Sequence, residues 1–171
     1  MLADLFNSHY YKFFDTAKNF SDAAAHAATL SIKGMPGHLV TLNFYDELAF
    51  IWSVYPNKTA WVGLSDSQKE GTFVYVGGPE SGQVATNIFP SSNTASNTLK
   101  WSDGNPDNWQ GAENCVEIWS GSSQFNDALC SNTRSYFVEF DCPGVLIPSA
   151  QSGCTRMILL ECFYVKVLLL C

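Results

Sequence analysis

Charge is scarce in this sequence, and most of it is negative. Charged side chains make up 15% of the 171 residues, and 9 Lys and Arg stand against 16 Asp and Glu, for a formal net charge of −7. An acidic protein is repelled by a phosphate backbone, so we expect no nucleic-acid partner. Aromatic residues, in contrast, reach 14%. The chain is therefore expected to fold as one domain with a substantial core.

Signatures of catalysis are also missing. The sequence has no GxxxxGK[ST] phosphate loop, no HExxH, no CxxC and no GxSxG. No nucleophile–base pair stands out, so we expect no enzymatic activity. The three histidines are scattered along the chain. We predict His9 and His38 at strand edges and His26 on the outer face of an alanine-rich helix, and we assign none of them to catalysis or to a metal.

No segment has the length of a bilayer span. The most apolar run, residues 157–171, is interrupted by Glu161 and Lys166, and it is shorter than the ~20 residues that a span needs. We expect no membrane insertion, with a membrane-associated tail as the alternative. Because turn chemistry and patterning stop at Gly144, we predict a domain over residues 1–142. Residues 143–171 would then be an atypical tail that arose from translated non-coding sequence or a mis-joined gene model.

Helices and strands follow from the hydrophobic pattern. Ser21 is predicted to cap a first helix that ends at Gly34 and Pro36, and Asn43 to cap a second. The second helix carries a stripe that we expect to be buried, formed by Leu48, Ile51, Trp52 and Tyr55. Strands are predicted at about 60–65, 72–76, 115–119 and 134–140, the last pairing with 9–15 so that the termini meet. Residues 77–112 are rich in Gly, Ser, Asn, Thr and Pro, and so long a loop indicates a function.

Side chains with oxygen donors crowd around Pro106. Seven of them fall within residues 103–127: Asn105, Asp107, Asn108, Glu113, Asn114, Asn126 and Asp127. No histidine or thiolate is among these donors, and hard oxygen ligands suit calcium rather than zinc or copper. The alternative is an ordinary polar loop, because Asn and Asp are common in solvated turns. The spacing of the donors favours a calcium site over an ordinary polar loop.

Dispersed motifs over about residues 8–140 resemble those of the C-type lectin-like domain family. Residues 61–64 (WVGL) are similar to the family's central WIGL strand, residues 70–75 (EGTFVY) to its EG-x-[FW]-x-[WY] strand, and residues 101–104 (WSDG) to its W-x-D-G motif. The resemblance implies an α+β fold of two helices and two small antiparallel sheets, with a long calcium-binding loop and adjacent termini.

Three further motifs lie in the donor-rich stretch. Residues 105–107 (NPD) stand at the family's sugar-specifying EPN/QPD tripeptide, residues 113–116 (ENCV) resemble E-[ND]-C-V, and residues 125–130 (FNDALC) resemble W-N-D-x-x-C. The resemblance implies a primary calcium site formed by Asn105, Asp107, Glu113, Asn126 and Asp127. It places a second calcium position at Asp66, Glu70, Asn108 and Asn114. Because only two of those four are acidic, we expect weaker binding or an empty site there, and the alternative is a simple surface turn.

The order of the tripeptide bears on sugar specificity. Its amide-Pro-acid order resembles the galactose-type QPD variant, in which an indole covers the apolar face of the sugar. Trp109 stands at that position, with an ordinary loop anchor as the alternative. The implied sugar-binding residues are Asn105, Asp107, Trp109, Glu113 and Asn126. Asn105 is a methylene shorter than Gln, and the segment after Trp109 lacks the family's glycine-rich insertion, so we expect a galactose preference without strict selectivity.

The cysteines imply an oxidising compartment. By the same resemblance Cys115 and Cys130 form the short disulfide beneath the binding loop, with two buried free thiols as the alternative. The family's second bridge is missing as a pair, since its expected positions hold Ala27 or Ala28 and Val138. Cys142 is predicted to be unpaired or to join one of Cys154, Cys162 and Cys171.

These features together predict a calcium-dependent lectin that prefers terminal galactose-type sugars and serves extracellular recognition or adhesion. The alternative is a calcium-binding module of the same fold that binds protein or ice. We expect a secreted or extracellular protein. The absence of a charged-then-apolar leader predicts a truncated sequence or a fragment of a longer ectodomain. The domain would act as an oligomer or as part of that larger ectodomain.

Overall fold

The computed structural model describes residues 4–6, 9–141, 155–161 and 164–170, and the side chains of residues 9–141. The chain divides into two units, Met1–Asp141 and Cys142–Cys171. The second unit contains an antiparallel hairpin of two strands, Thr155–Glu161 and Tyr164–Leu170. The bonding states predicted for Cys142, Cys154, Cys162 and Cys171 lie outside the described residues. None of the helices in the described part of the chain has the length and apolarity to cross a bilayer.

The first unit has two helices and eleven strands among its described residues. The helices are α1 (Phe20–Thr29) and α2 (Tyr45–Val54). The strands are β1 (Asp4–Phe6), β2 (His9–Lys18), β3 (Ser31–Ile32), β4 (Met35–Leu39), β5 (Ala60–Ser65), β6 (Val74–Tyr75), β7 (Ile88–Phe89), β8 (Leu99–Lys100), β9 (Glu113–Ile118), β10 (Phe125–Leu129) and β11 (Arg134–Asp141).

Two antiparallel sheets meet at β11. On one side β11 pairs antiparallel with β2 and β4, and β1 and β3 extend that sheet. On the other side β5 pairs antiparallel with β6 and β9, and β9 with β10. The sheets join where Ser135 and Tyr136 of β11 pair in parallel with Ala60 and Trp61 of β5. The predicted α+β fold of two helices and two small antiparallel sheets is confirmed, and this parallel junction was not predicted.

The ends of the domain are neighbours. His9 at the start of β2 pairs with Asp141 at the end of β11, and the pairing runs on to Arg134 and Lys18. The prediction that the last strand pairs with 9–15 is thus confirmed.

Apolar burial holds α2 against the sheets. Leu48 and Ile51 are fully buried in a core that includes Trp101 and Phe125, while Trp52 and Tyr55 are partly buried against it. Burying such side chains contributes about 1.5–3 kcal/mol each relative to exposure, which is why the stripe fixes the helix to the sheet. The predicted stripe is correct, although Tyr55 lies one residue beyond Val54, as the C-cap of α2.

Both predicted helix starts are wrong. Asn19 caps α1, because its Oδ1 accepts from the backbone N–H of Asp22 at 2.8 Å, while Ser21 only donates to that oxygen. At α2 the cap position is Phe44, and the Glu47 carboxylate accepts from the N–H groups of Asn43 and Phe44. A carboxylate in the first turn can therefore replace a capping side chain before the helix.

The predicted end of the first helix is also wrong. Helix α1 ends at Thr29, and the N–H of Leu30 bonds the carbonyl of Ala27. Pro36 lies inside β4, whose strand character the sequence pattern did not reveal. The site of the missing second disulfide is closely packed around Gly37. A Cβ on this glycine would lie 2.8 Å from the Ala27 carbonyl and 3.0 Å from Val138 Cγ1. Ala27 and Val138 are both fully buried, so packing takes the place of a crosslink here.

The outer-face prediction for His26 is wrong. Its ring packs edge-on against Phe14 and Tyr136, and its Nδ1 lies 2.6 Å from Tyr136 Oη. The half-buried imidazole joins α1 to the sheet.

The long segment 77–112 is anchored at several points. Strands β7 and β8 pair in parallel, and Leu99 and Trp101 are buried in the core. A single turn of 3₁₀ helix, Trp109–Gly111, precedes β9. The loop therefore has a fixed base, from which residues 103–112 project.

Candidate metal and ligand site

Backbone contacts bring the two donor-rich stretches together. Trp101 forms a parallel bridge with Phe125, and both the N–H and the Oγ of Ser102 donate to the Phe125 carbonyl, at 2.8 and 3.0 Å. Residues 103–112 thus leave the core beside the start of β10, which carries Asn126 and Asp127. The fold thereby brings the two donor-rich stretches, which are separated in sequence, close together in space.

Three carboxylates converge at this point. The ligand atoms of Asp107, Glu113 and Asp127 lie within 4.8 Å of one another. Asp127 is 1% exposed, and its two oxygens accept from the backbone N–H groups of Asp107 and Asn108 at 3.1 and 2.7 Å. These bonds shape the loop around the Asp127 carboxylate. Three of the five predicted primary ligands therefore form one cluster.

The other two predicted primary ligands border this cluster. Asn105 precedes a cis peptide bond to Pro106, and its amide nitrogen donates to Ser102 Oγ at 2.7 Å. Asn126 follows Phe125 on β10 and is 9% exposed. Its amide nitrogen donates to Glu117 Oε1 at 3.1 Å. In both side chains the carbonyl oxygen is the atom able to ligate a cation.

Glu117 is a residue of the site that sequence reasoning missed. It is 2% exposed in the middle of β9, and besides Asn126 it accepts from Trp119 Nε1 at 2.9 Å and from Arg134 Nε at 2.5 Å. A carboxylate between the apolar residues Val116 and Ile118 was the available signal, because a buried charge requires partners. Its contacts connect the site to β11.

The second predicted position has an unusual acid at its centre. Asp66 is 1% exposed; its Oδ2 accepts from the N–H of Gly71 at 2.8 Å, and its Oδ1 is buried without a hydrogen-bond partner. A buried polar atom without a partner costs about 1–3 kcal/mol, so such an atom needs an explanation. A bound cation would satisfy it.

The remaining members of the second position differ in their roles. Glu70 is exposed. Asn108 has its Oδ1 engaged by the N–H of Glu113 at 3.1 Å. Asn114 meets the Asp66 segment through its backbone carbonyl, which accepts from Ser65 Oγ at 2.6 Å. The side-chain oxygen of Asn108 is therefore already engaged, and the contact of Asn114 with the Asp66 segment is made by its backbone.

Burial, with repulsion between neighbouring acids as a smaller cause, raises the pKa values of three carboxyl groups in this region. Burial raises the pKa of Glu113 above its ordinary value, and the charges of Asp127 and Asp107 add to that rise. Burial likewise raises the pKa of Asp66, and the charge of Asp127 contributes. Although Glu70 is exposed, partial loss of hydration and then the charges of Asp66 and Asp127 raise its pKa above the ordinary value. A divalent cation would relieve this repulsion.

The residues present fit calcium. The donors are carboxylate and amide oxygens with no nitrogen or sulfur ligand among them, and three carboxylates nearly balance one divalent charge. The convergence of Asp107, Glu113 and Asp127 and the orphaned Asp66 oxygen both indicate a hard cation.

Trp109 is exposed next to the carboxylates. Its backbone N–H donates to Glu113 Oε2 at 3.1 Å, while 58% of the residue is open to solvent. An indole that anchored the loop would be largely buried, so this exposure favours a role in contacting a ligand.

The disulfide predicted beneath the loop is present. Cys115 on β9 and Cys130, which follows β10, are bonded with their Cα atoms 5.1 Å apart. The bridge fixes the ends of the hairpin that carries Asn126 and Asp127.

Comparison with known proteins agrees with this architecture. The model of the "Lectin C-type domain" family matches residues 21–138. The hepatic lectin of Gallus gallus is 28% identical over 118 residues, which cover 69% of this chain and 50% of the chicken protein. The alpha-N-acetylgalactosamine-specific lectin of Patiria pectinifera is 26% identical over 140 residues, covering 77% of this chain and 73% of that lectin. The chain thus spans about half the length of the chicken relative.

A solved structure shares the fold. The C-type lectin CEL-I from Cucumaria echinata superposes with a TM-score of 0.65 at 22% identity, over 81% of this chain and 94% of CEL-I. Since the family model covers most of the chain, the protein belongs to the C-type lectin domain family.

Proposed function

We propose that residues 1–142 form a calcium-dependent carbohydrate-binding domain that prefers terminal galactose-type sugars. The observation that carries the proposal is the convergence of Asp107, Glu113 and Asp127 close to the exposed Trp109, whose backbone N–H donates to Glu113. Repelling carboxylates are stabilised by a divalent cation, and an exposed aromatic ring beside them is suited to the apolar face of a sugar.

Asn105, Asp107, Glu113, Asn126 and Asp127 would hold the primary calcium ion. When bound, calcium accepts about six to eight oxygens, so the ion has coordination positions left for two adjacent sugar hydroxyls. The protein's part is to position donors and acceptors around those hydroxyls. Amide groups donate to the hydroxyls and carboxylates accept from them.

Asp66, Glu70, Asn108 and Asn114 would surround a second calcium position, with Asp66 as its principal ligand. The buried, unpartnered Oδ1 of Asp66 supports this assignment. The side-chain oxygen of Asn108 accepts a hydrogen bond from Glu113. The backbone carbonyl of Asn114 accepts one from Ser65. We therefore expect weaker binding at the second position than at the first.

The galactose preference rests on the amide-Pro-acid order of residues 105–107 and on Trp109. The backbone of Trp109 is hydrogen-bonded to Glu113, and its exposed indole would cover the apolar face of a galactose ring whose hydroxyls meet the ion. The similarity to a lectin specific for alpha-N-acetylgalactosamine supports a sugar of galactose configuration. The disulfide between Cys115 and Cys130 supports an extracellular setting, where such bonds persist.

A glycan array read with calcium and again with a chelator tests the proposal. We expect galactose-terminated glycans to bind only with calcium. Asp127→Asn should abolish that binding, because Asp127 both belongs to the carboxylate cluster and shapes the loop. Asp103→Asn removes an exposed acid of the same loop and should leave the pattern unchanged. A folded protein that retains no glycan in calcium would contradict the proposal and favour a module of the same fold that binds protein or ice.

A further inference from the structure

A second cluster of side chains able to ligate a metal lies on the sheet formed by β2, β11 and β4. It shares no residue with the proposed calcium site, whose loop (residues 103–112) we call the calcium loop. In antiparallel strands, directly paired residues and residues two apart share a face. The pairs His9–Asp141 and His38–Glu139 flank β11, where Glu139 and Asp141 are two positions apart. Two imidazoles and two carboxylates therefore share one face. We call these four residues the histidine–carboxylate cluster.

The four side chains are in contact. His9 Nδ1 lies 2.5 Å from Glu139 Oε1 and 3.4 Å from Asp141 Oδ1. His38 Nε2 lies 2.6 Å from Asp141 Oδ2. Asp141 thus presents one oxygen to each imidazole. The ligand atoms of His38, Glu139 and Asp141 lie within 4.8 Å of one another.

The cluster is buried and carries an excess of acid. The Glu139 side chain is 0% exposed, those of Asp141 and His38 are 16% and 9% exposed, and that of His9 is 31% exposed. Glu47 adds a third carboxylate, 3.9 Å from His9 Nδ1. Buried carboxylates need a compensating positive charge, which two imidazoles supply only while they are protonated. A divalent cation is the other way to compensate them.

We propose that His9, His38, Glu139 and Asp141 form a binding site for zinc or a similar borderline divalent transition metal. Imidazole nitrogen and carboxylate oxygen are zinc ligands, at about 2.0–2.2 Å, and tetrahedral zinc separates such atoms by about 3.4 Å. The 3.4 Å between His9 Nδ1 and Asp141 Oδ1 matches this separation. The contacts of His9 with Glu139 and of His38 with Asp141, at 2.5 and 2.6 Å, are hydrogen-bond distances that lengthen when a metal replaces the shared protons. Two imidazoles distinguish the site from the calcium loop, whose donors are all oxygens. On binding, the metal takes the place of the imidazole protons, which pass to solvent.

The other side chains around the cluster are already arranged as a supporting shell. The N–H and Oγ of Thr41 donate to Glu139 Oε2 at 2.9 and 3.0 Å, which orients that carboxylate. His38 Nδ1 lies 2.9 Å from the carbonyl of Leu39, a contact that directs Nε2 to the metal position. Metal-bound histidines characteristically use their second nitrogen in this way.

Metal titration of the full chain tests the proposal. Free thiols are first alkylated so that cysteines outside the domain contribute nothing, and metal is removed with a chelator that is then dialysed away. Calorimetric titration should show one zinc ion bound per chain, and cobalt should give the intense visible absorption of tetrahedral coordination. His9→Gln and His38→Gln should each weaken zinc binding by about tenfold or more.

His26 provides the matched control, because it is the third histidine of the chain and contacts Tyr136 instead of this cluster. His26→Gln should bind zinc as the unchanged protein does. The proposal is overturned if the unchanged protein binds no zinc, or if the double variant His9→Gln/His38→Gln binds it equally well. It is also overturned if calcium occupies the cluster as tightly as zinc. The cobalt spectrum is recorded on the unchanged protein, so this readout stands even if a variant fails to fold.

Discussion

The side-chain amide of Asn126 is tied to Glu117 by a hydrogen bond of 3.1 Å. Glu117 is buried and also accepts from Trp119 and Arg134. Because the amide nitrogen of Asn126 is held by Glu117, its carbonyl oxygen faces away from Glu117. Glu117 thereby orients a proposed calcium ligand without itself belonging to the carboxylate cluster.

Glu117→Gln should weaken calcium binding by about tenfold, because a neutral amide holds Asn126 and Arg134 less firmly. It should also lower the free energy of unfolding by about 1–3 kcal/mol through the loss of charge-assisted hydrogen bonds. Calcium titration and urea unfolding in chelator measure the two effects separately. The exposed Asp103→Asn is the control and should change neither. An unaltered calcium affinity alongside reduced stability would limit Glu117 to a structural role.

Trp109→Ala should weaken sugar binding by about 0.5–1.5 kcal/mol beyond the lost contact area, because the indole would stack on the sugar ring. Calcium affinity should stay unchanged, since indole ligates no metal. The comparison is Phe44→Ala, which removes an aromatic residue that is 67% exposed at the start of α2. Inhibition by free galactose at fixed calcium gives the sugar affinity of each variant, and a calcium titration gives its calcium affinity. Equal effects of the two substitutions would argue against stacking by Trp109.

The double substitution Asn105→Glu/Asp107→Asn should shift preference toward mannose-type sugars. It reverses the order of amide and acid around Pro106 while keeping the net charge, so calcium binding should persist. Competition by free galactose and free mannose, measured on both proteins, reports the change. If the unchanged protein is released equally well by either sugar, the galactose preference is incorrect although sugar binding remains.

In metal-free solution, stability should fall as the pH rises from about 6.5. The hydrogen bond to Glu139 raises the pKa of His9 above its ordinary value of 6.5. Burial lowers the pKa of His38, but the hydrogen bond to Asp141 and the neighbouring carboxylates outweigh it, and the net pKa is raised. A raised histidine pKa contributes stability that is complete below the unfolded value and is lost as the pH passes the folded value.

Urea unfolding in chelator between about pH 6 and pH 9 measures how steeply the free energy of unfolding falls with pH. His9→Gln/His38→Gln should flatten it over the same range. A slope that survives in the double variant would show that other groups are responsible.

The motifs of this sequence were sufficient to predict the fold and the location of the loop. The WVGL segment lies in β5, the FND segment begins β10, the NPD tripeptide lies in the loop before β9, and Cys115 bonds Cys130. These features depend on residues that are close in sequence or that the family pattern spaces in a characteristic way.

What could not be predicted is one local choice between two capping residues and two sets of long-range contacts. Asn19 caps α1 in place of Ser21 because its side chain faces the first turn, and both residues are good caps by composition. The cluster around Glu139 assembles His9 and Asp141 across more than a hundred residues, and only the strand register brings them together. Glu117 was missed because its partners are on other strands.

The central claim is that the loop around Asp127 binds calcium, and thermal unfolding during a calcium titration tests it most directly. We expect a dissociation constant of about 10⁻⁴–10⁻³ M, as for extracellular modules. At about 10 mM calcium the folded state should then gain about 1.4–2.7 kcal/mol, which raises the midpoint by several degrees. Asp127→Asn, compared with its own metal-free midpoint, should lose this rise, and Asp103→Asn should keep it. A folded, unchanged protein whose midpoint does not move, or an equal rise in Asp127→Asn, would contradict the account.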